Sequence, residues 1–173
     1  FDENAIDFLE ELNTPAYKIA SFEIVDLELL KYAASKGKPL LISTGMASES
    51  DISDAIKIAK DFGTGEILLF HCISSYPAKT SESNIRMIKT LKEKYNVEIG
   101  LSDHTLTNTA AIAAVALGAS AIEKHFILDN KEVGPESSFS INPRQLKKLK
   151  QETSDCWESL GYDDFMRSKS EEK

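Results

Sequence analysis

The sequence predicts an α/β fold, and within that class a fragment of a TIM-type (β/α)8 barrel carrying about its last five βα units. Three observations predict it. Short apolar runs alternate five times with amphipathic helical stretches, as expected of parallel strands buried on both faces and joined by helical crossovers. No Gly-x-Gly-x-x-Gly or P-loop sequence occurs, which removes the usual mark of a doubly wound nucleotide-binding sheet. The 173 residues open at Phe1-Asp2-Glu3-Asn4 with neither an initiator Met nor a leading strand. A whole barrel takes about 250 residues, so three units are expected ahead of Phe1, and the chain reads as a piece of a longer protein.

The elements follow in order. Ile6, Phe8, Leu9 and Leu12 give a helical pattern at the start. Strands are expected at 17–20, 39–43, 67–72, 97–101 and 121–126, each a short run dominated by apolar and β-branched residues. Helices are expected at 27–35, 49–62, 83–95, 106–117 and 143–160. Ser48 precedes an acidic first turn, and Pro143 suits the first turn of the last helix. Gly37, Gly63 and Gly118 stand where helices should stop. The polar run Arg167-Ser168-Lys169-Ser170-Glu171-Glu172-Lys173 reads as a linker, which divides the chain into a partial barrel domain, 1–162, and a linker, 163–173.

Composition narrows the function. Hydrophobic residues at 42% and charged residues at 28% are those of an ordinary globular domain. A net charge of −8 argues against a nucleic-acid partner, which needs a basic stripe. Any anionic ligand therefore needs a local pocket. Two cysteines, Cys72 and Cys156, make no disulfide framework, so a reducing, cytoplasmic setting is expected. No apolar run has the length of a membrane span, and the opening residues do not read as a signal peptide.

Polar residues gather at the C-terminal end of every expected strand: Lys18 and Ser21; Ser43-Thr44-Gly45; Ser74, Ser75 and Tyr76; Ser102-Asp103-His104; and Glu123-Lys124-His125. In α/β folds this rim is where active sites form, although serines there also cap the following helices. His104 and His125 end consecutive strands, whose spacing of about 4.8 Å lets both imidazoles reach one point. That is an open two-histidine metal site, or two strand-end caps. His71 lies inside an apolar run and reads as a satisfied core residue. Lys18 ends a buried strand and needs an anion or an escape to solvent. Hydroxyls from Ser21, Ser43, Ser74 and Ser102 beside it suit a phosphate or carboxylate. A Schiff-base role for Lys18 or Lys124 is the competing chemistry.

These motifs, in this order, resemble the sialic acid synthase family: Tyr17-Lys18-Ile19-Ala20-Ser21, Ser43-Thr44-Gly45-Met46, Cys72-Ile73-Ser74-Ser75-Tyr76-Pro77, Gly100-Leu101-Ser102-Asp103-His104-Thr105 and Glu123-Lys124-His125-Phe126. The segments Ala20-Ser21-Phe22-Glu23 and Ser137-Ser138-Phe139-Ser140 are similar to those of its pseudaminic acid branch. The resemblance implies a metal-dependent condensation of phosphoenolpyruvate with an amino-hexose. That sugar is 2,4-diacetamido-2,4,6-trideoxy-altrose in the pseudaminic branch, with N-acetylneuraminate or legionaminate synthesis as alternatives. It implies His104 and His125 as ligands of a divalent metal, manganese with magnesium or cobalt as alternatives. Lys18, Ser21, Ser43, Ser74 and Ser102 would hold phosphoenolpyruvate, and Tyr76 would line the substrate pocket. Glu136, in Gly134-Pro135-Glu136, stands where the family carries Asp in contact with the amino-sugar. Ser74 stands where some members have Asn. A homodimer, a cytoplasmic location and a small antifreeze-protein-like (SAF) domain after the barrel are implied as well. A metal-binding or interaction module without turnover is the reading from a different class.

Overall fold

Strand residues alternate between the two faces of a sheet, so each of the five apolar runs has to satisfy two environments. The computed structural model describes residues 2–63, 65–129, 134–168 and 170–172. Its strands β1 (Tyr17–Ile19), β2 (Leu40–Ser43), β3 (Ile67–Cys72), β4 (Glu98–Ser102) and β5 (Ala121–Glu123) form one parallel sheet in the order β1-β2-β3-β4-β5. It is accompanied by helices α1 (Glu3–Glu11), α2 (Leu27–Ser35), α3 (Glu49–Phe62), α4 (Met87–Tyr95), α5 (Thr109–Ala116) and α6 (Pro143–Ser159).

The strand order decides between the two architectures open to a βα repeat. A doubly wound sheet reverses its order at a switch point, which sends helices to both faces. Here no reversal occurs, so right-handed crossovers put every linking helix on one face. The opposite face is left for a barrel interior. Curvature agrees: β1 and β5 are the two outer strands, about 19 Å apart in a flat sheet at about 4.8 Å per spacing. Yet Lys18 Nζ on β1 lies 3.5 Å from Glu123 Oε2 on β5. Two side chains close that gap only if the sheet curls, and the fold is therefore the expected part of a (β/α)8 barrel.

The outer face carries Tyr17, Ile19, Leu40, Ile42, Ile67, Leu69, Ile99 and Leu101, all buried. They pack on the apolar stripes of α2 to α5, including Leu30, Ala33, Ala55, Ala59, Ile88 and Ala114. Each fully buried Leu or Ile contributes about 1.5–3 kcal/mol to this layer. The inner face carries Lys18, Ser43, Phe70, Cys72, Gly100, Ser102 and Glu123, as the register pairs Ser43↔Phe70, Phe70↔Gly100, Cys72↔Ser102 and Ser102↔Glu123 require. Gly100 is needed there, because a Cβ would stand 2.6 Å from the Phe70 ring.

Ser48 and Asp51 form a capping box at the start of α3, and Pro143 occupies the first turn of α6. Gly37 (φ 72°) and Gly118 (φ 94°) take left-handed conformations just beyond α2 and α5. Three boundaries differ from the sequence reading by three residues or more, and several others by one. The helix expected at 83–95 begins only at Met87, because Asn84 is left-handed (φ 45°) and a short 3-10 turn, Thr80–Glu82, precedes it. The helix expected at 106–117 begins at Thr109, because the Thr105 and Thr107 carbonyls accept from Lys124 Nζ at 2.6 and 3.3 Å. The strand expected at 121–126 ends at Glu123. Beyond it the chain pairs with Ile141 instead, through Ile141 N–H to His125 O and Ile127 N–H to Ile141 O. Residues 163–168 are exposed and carry no helix or strand. Lys169 and Lys173, the rest of the expected linker's basic residues after Arg167, lie outside the described residues, as does Val133 before the Gly134-Pro135-Glu136 motif. Among the described residues no helix is long and apolar enough to cross a membrane, and Cys72 and Cys156 are unpaired thiols.

Candidate active site

The inner face places a cation at its centre. Lys18 Nζ donates to Ser43 Oγ at 2.7 Å and stands 5.4 Å from the centroid of the Phe70 ring. Glu123 meets it from the far strand, and the other carboxylate oxygen of Glu123 accepts from Ser102 Oγ at 2.7 Å. Ser102 and Glu123 are register partners, so the alternation that sends Ser102 inward sends Glu123 with it. Lys18, Ser43 and Ser102 are thus brought together as the sequence suggested. Glu123 was not singled out from sequence, although its place two residues before His125 on the same strand face was the available signal.

Ser21 and Ser74 meet at a second point. Gly45 N–H donates to Ser21 Oγ at 3.2 Å, and Ser21 Oγ lies 3.2 Å from Cys72 Sγ. A Cβ on Gly45 would fall against Ser74 Oγ, 2.7 Å from Ser21 Oγ and 2.9 Å from Cys72 Sγ. The two hydroxyls and the thiol therefore converge on one small volume that only a glycine leaves open. Ser74 Oγ is buried there with no hydrogen-bond partner among the described residues. An unpaired buried hydroxyl costs about 1–3 kcal/mol, a cost that a bound ligand oxygen would relieve. Glu23, two residues past Ser21, likewise has one buried carboxylate oxygen without a partner among the described residues.

The two histidines face each other above this layer, with ring centroids 5.2 Å apart. His104 is buried, and Nδ1 lies 2.8 Å from the Ile73 carbonyl oxygen. A carbonyl only accepts, so Nδ1 carries the proton. Burial holds the His104 pKa below the usual imidazole range, which leaves Nε2 with a free lone pair. Ser102 Oγ lies 3.4 Å from that nitrogen, but its proton has the closer Glu123 carboxylate to go to. On His125, Nδ1 stands 3.0 Å from Glu136 Oε2, which fixes the same tautomer. Tyr76 covers both rings, at centroid distances of 4.3 Å to His104 and 5.7 Å to His125. Phe139 packs edge-on against His125 at 5.0 Å. Burial first, and then the Cys72, Glu136 and Glu123 side chains, raise the Tyr76 pKa above its ordinary value, so the phenol keeps its proton at neutral pH.

Two imidazoles with Nδ1 occupied and Nε2 free are the donor set a divalent ion takes from histidines. Among the described residues no group of three or more His, Cys, Asp or Glu side chains is placed to hold an ion. His104 and His125 therefore fit a metal as two of its ligands, with the remaining positions open to water, substrate or other parts of the protein. Nitrogen donors suit zinc or iron better than manganese.

Lys124 and His71 do not belong to this site. Lys124 alternates to the opposite face from Glu123 and His125, where Nζ lies 2.9 Å from Asp103 Oδ2 with both side chains almost wholly buried. It also donates to the Thr105 and Thr107 carbonyls, so it braces the loop after β4 and is not available for Schiff-base chemistry. Removing one partner of such a pair strands the other charge, at about 3–5 kcal/mol. Asp103→Ala is expected to lower stability by that amount in urea unfolding, whereas a loss under 1 kcal/mol would show the pair to be expendable. His71 is buried with Nε2 2.9 Å from the Ser83 carbonyl oxygen, a satisfied core residue as expected.

Residues 1–164 match the model of the NeuB family. A pseudaminic acid synthase of Helicobacter pylori is 43% identical over 149 residues, covering 86% of this chain and 44% of that protein. An N,N'-diacetyllegionaminic acid synthase of Campylobacter jejuni is 38% identical over 175 residues, covering all of this chain and 52% of that protein. The crystal structure of an N-acetylneuraminic acid (sialic acid) synthetase from Leptospira borgpetersenii, in complex with citrate, superposes with a TM-score of 0.92 at 37% identity. It is matched over 99% of this chain and 60% of its own. The chain thus spans about half the length of the relatives it matches.

Proposed function

Since the chain belongs to the NeuB family, we propose that it is the greater part of the catalytic barrel of a synthase that condenses phosphoenolpyruvate with an open-chain amino-hexose, giving a nine-carbon nonulosonic acid and phosphate. The observation that carries this reading is the inner-face cation Lys18, hydrogen-bonded to Ser43, on the same rim as the facing His104 and His125 rings. Lys18 with Ser43 and Ser102, and Ser21 with the unpartnered Ser74, hold the phosphate and carboxylate of phosphoenolpyruvate. Tyr76 lines the sugar side of the pocket. Carbon 3 of phosphoenolpyruvate attacks the sugar's aldehyde carbon, and the new C–C bond leaves carbon 2 cationic. The former aldehyde oxygen takes up a proton to become a hydroxyl, water adds to carbon 2 and gives up one proton, and the resulting carbon-2 hydroxyl loses the other as the C–O bond to phosphate breaks, releasing the ketone and inorganic phosphate. His104 and His125 would hold a divalent metal, manganese in this reading with magnesium or cobalt as alternatives, which would supply Lewis-acid polarisation of the aldehyde oxygen when bound.

The sugar in this reading is 2,4-diacetamido-2,4,6-trideoxy-altrose, with pseudaminic acid as product. The likeness of Ala20-Ser21-Phe22-Glu23 and Ser137-Ser138-Phe139-Ser140 to that branch supports it, alongside the 43% identity over 149 residues to a pseudaminic acid synthase. N-acetylneuraminate or legionaminate formation is the alternative. The working protein is taken to be a cytoplasmic homodimer, a setting that the free Cys72 and Cys156 suit. The deciding experiment incubates the full-length protein with phosphoenolpyruvate, metal and each candidate amino-sugar, and identifies the product by mass spectrometry. The expected result is phosphate release that depends on both metal and the altrose derivative, with a product of pseudaminic acid mass. A product formed only from N-acetylmannosamine moves the assignment to the N-acetylneuraminate branch, one formed only from the amino-sugar precursor of legionaminate moves it to that branch, and the absence of any product with all three sugars rejects the synthase reading.

A further inference from the structure

We propose that Glu136 is a positioning residue for His125: its carboxylate accepts a hydrogen bond from the Nδ1–H of that imidazole and thereby leaves Nε2 as the nitrogen free to bind an ion. The inference rests on the metal reading of the His104–His125 pair. It differs from the sequence expectation, in which Glu136 reads the sugar.

The loop that carries Glu136 is tied to His125 at several independent points. Glu136 Oε2 lies 3.0 Å from His125 Nδ1. Phe139, itself buried, packs edge-on to the same ring at 5.0 Å. Ile141, at the end of the loop, donates its N–H to the His125 carbonyl at 2.9 Å and accepts from Ile127 N–H at 3.0 Å. The backbone of Glu136 is fixed in turn: its carbonyl accepts from Ser140 N–H at 3.1 Å and from Ser140 Oγ at 2.8 Å. The carboxylate is thus delivered to the imidazole by a braced turn. His104 shows the same device in a weaker form, with Nδ1 held by the neutral carbonyl of Ile73 at 2.8 Å. An acceptor on the outer nitrogen of an imidazole fixes its tautomer and raises its basicity toward a metal, and an anionic carboxylate does the second more strongly than a neutral carbonyl. His125 is therefore the stronger donor of the two. Side-chain length matters as well: an Asp at this position ends about 1.5 Å short, which breaks a contact already at 3.0 Å.

Manganese(II) alone is titrated into the full-length protein, and free ion is read by electron paramagnetic resonance. Wild type, Glu136→Ala, Glu136→Asp, Glu136→Gln and His125→Ala are compared, with folding checked by circular dichroism. Loss of an outer partner to a metal ligand typically weakens binding about 10–100-fold. Glu136→Ala and Glu136→Asp are expected to raise the Kd for manganese by that factor, and Glu136→Gln, which keeps the reach and an acceptor oxygen, by less. Wild-type manganese affinity in folded Glu136→Ala and Glu136→Asp, with affinity lost in His125→Ala, overturns the positioning role and leaves the metal site standing. Equal manganese affinity in wild type and His125→Ala overturns the metal site, and the proposal with it. A change confined to the Michaelis constant for the sugar, at unchanged manganese affinity, returns Glu136 to substrate contact and also overturns the proposal.

Discussion

Replacement of either His104 or His125 by Ala in the full-length protein is expected to abolish metal-dependent turnover, and the double variant is expected to lose metal binding altogether. The two rings face each other at 5.2 Å, and each has its outer nitrogen occupied, by the Ile73 carbonyl and the Glu136 carboxylate. Each substitution deletes a whole ligand. The loss should therefore exceed the roughly 10–100-fold that follows when only an outer partner is removed. Folding is a separate question for His104, which is buried, so circular dichroism has to accompany the titration. A folded double variant that still binds manganese with wild-type affinity would refute the assignment of both histidines.

Lys18→Met should raise the Michaelis constant for phosphoenolpyruvate about 10–100-fold, the equivalent of the roughly 1.5–3 kcal/mol that a hydrogen bond to a charged group contributes. The constant for the sugar should move far less. Methionine keeps an apolar stem about as long as that of lysine but removes the ammonium that donates to Ser43 Oγ. It also leaves Glu123, 3.5 Å from Nζ in the native chain, to face the incoming phosphate without a cation between them. That like-charge contact pushes the effect toward the upper end of the range. The same position settles the chemistry of the lysine. Borohydride treatment in the presence of substrate should leave Lys18 unmodified, and a stable adduct on its Nζ would replace the condensation mechanism with Schiff-base catalysis.

Most of this architecture was legible because it rests on short-range signals. The five strands follow from apolar runs, and α3 and α6 from Ser48 and Pro143 at their starts. The rim residues follow from where those runs end. Lys18 next to Ser43 was readable because one parallel register step places them on the same face. What escaped depends on residues choosing partners far along the chain. Nothing near Thr105 or Thr107 says that their carbonyls are claimed by Lys124, so α5 was expected three residues too early. Asn84 and Asn96 both adopt left-handed backbone, and asparagine signals that less plainly than glycine. The Glu136–His125 contact joins two residues eleven positions apart across a loop, a geometry no periodicity encodes. Glu123 was overlooked for a different reason: its neighbours Lys124 and His125 have more conspicuous chemistry, and only strict alternation reveals that Lys124 points the other way.

The pair that spans the curled sheet, Lys18 with Glu123, gives the inner-face cation a counter-ion before any ligand arrives. An anion entering the cleft does not meet a bare cation. It meets a cation that already has a counter-ion, so binding is an exchange and its strength is the difference between two pairings. Both side chains are partly open to water, which keeps the resident pairing weak, at about 0–1 kcal/mol. A singly charged, strongly hydrated ion such as chloride gains little by such an exchange. On the proposed reading a doubly charged phosphate, with more oxygens to share among the rim hydroxyls, would gain more. Such an exchange would let the cleft discriminate against small monovalent anions while admitting a multiply charged one.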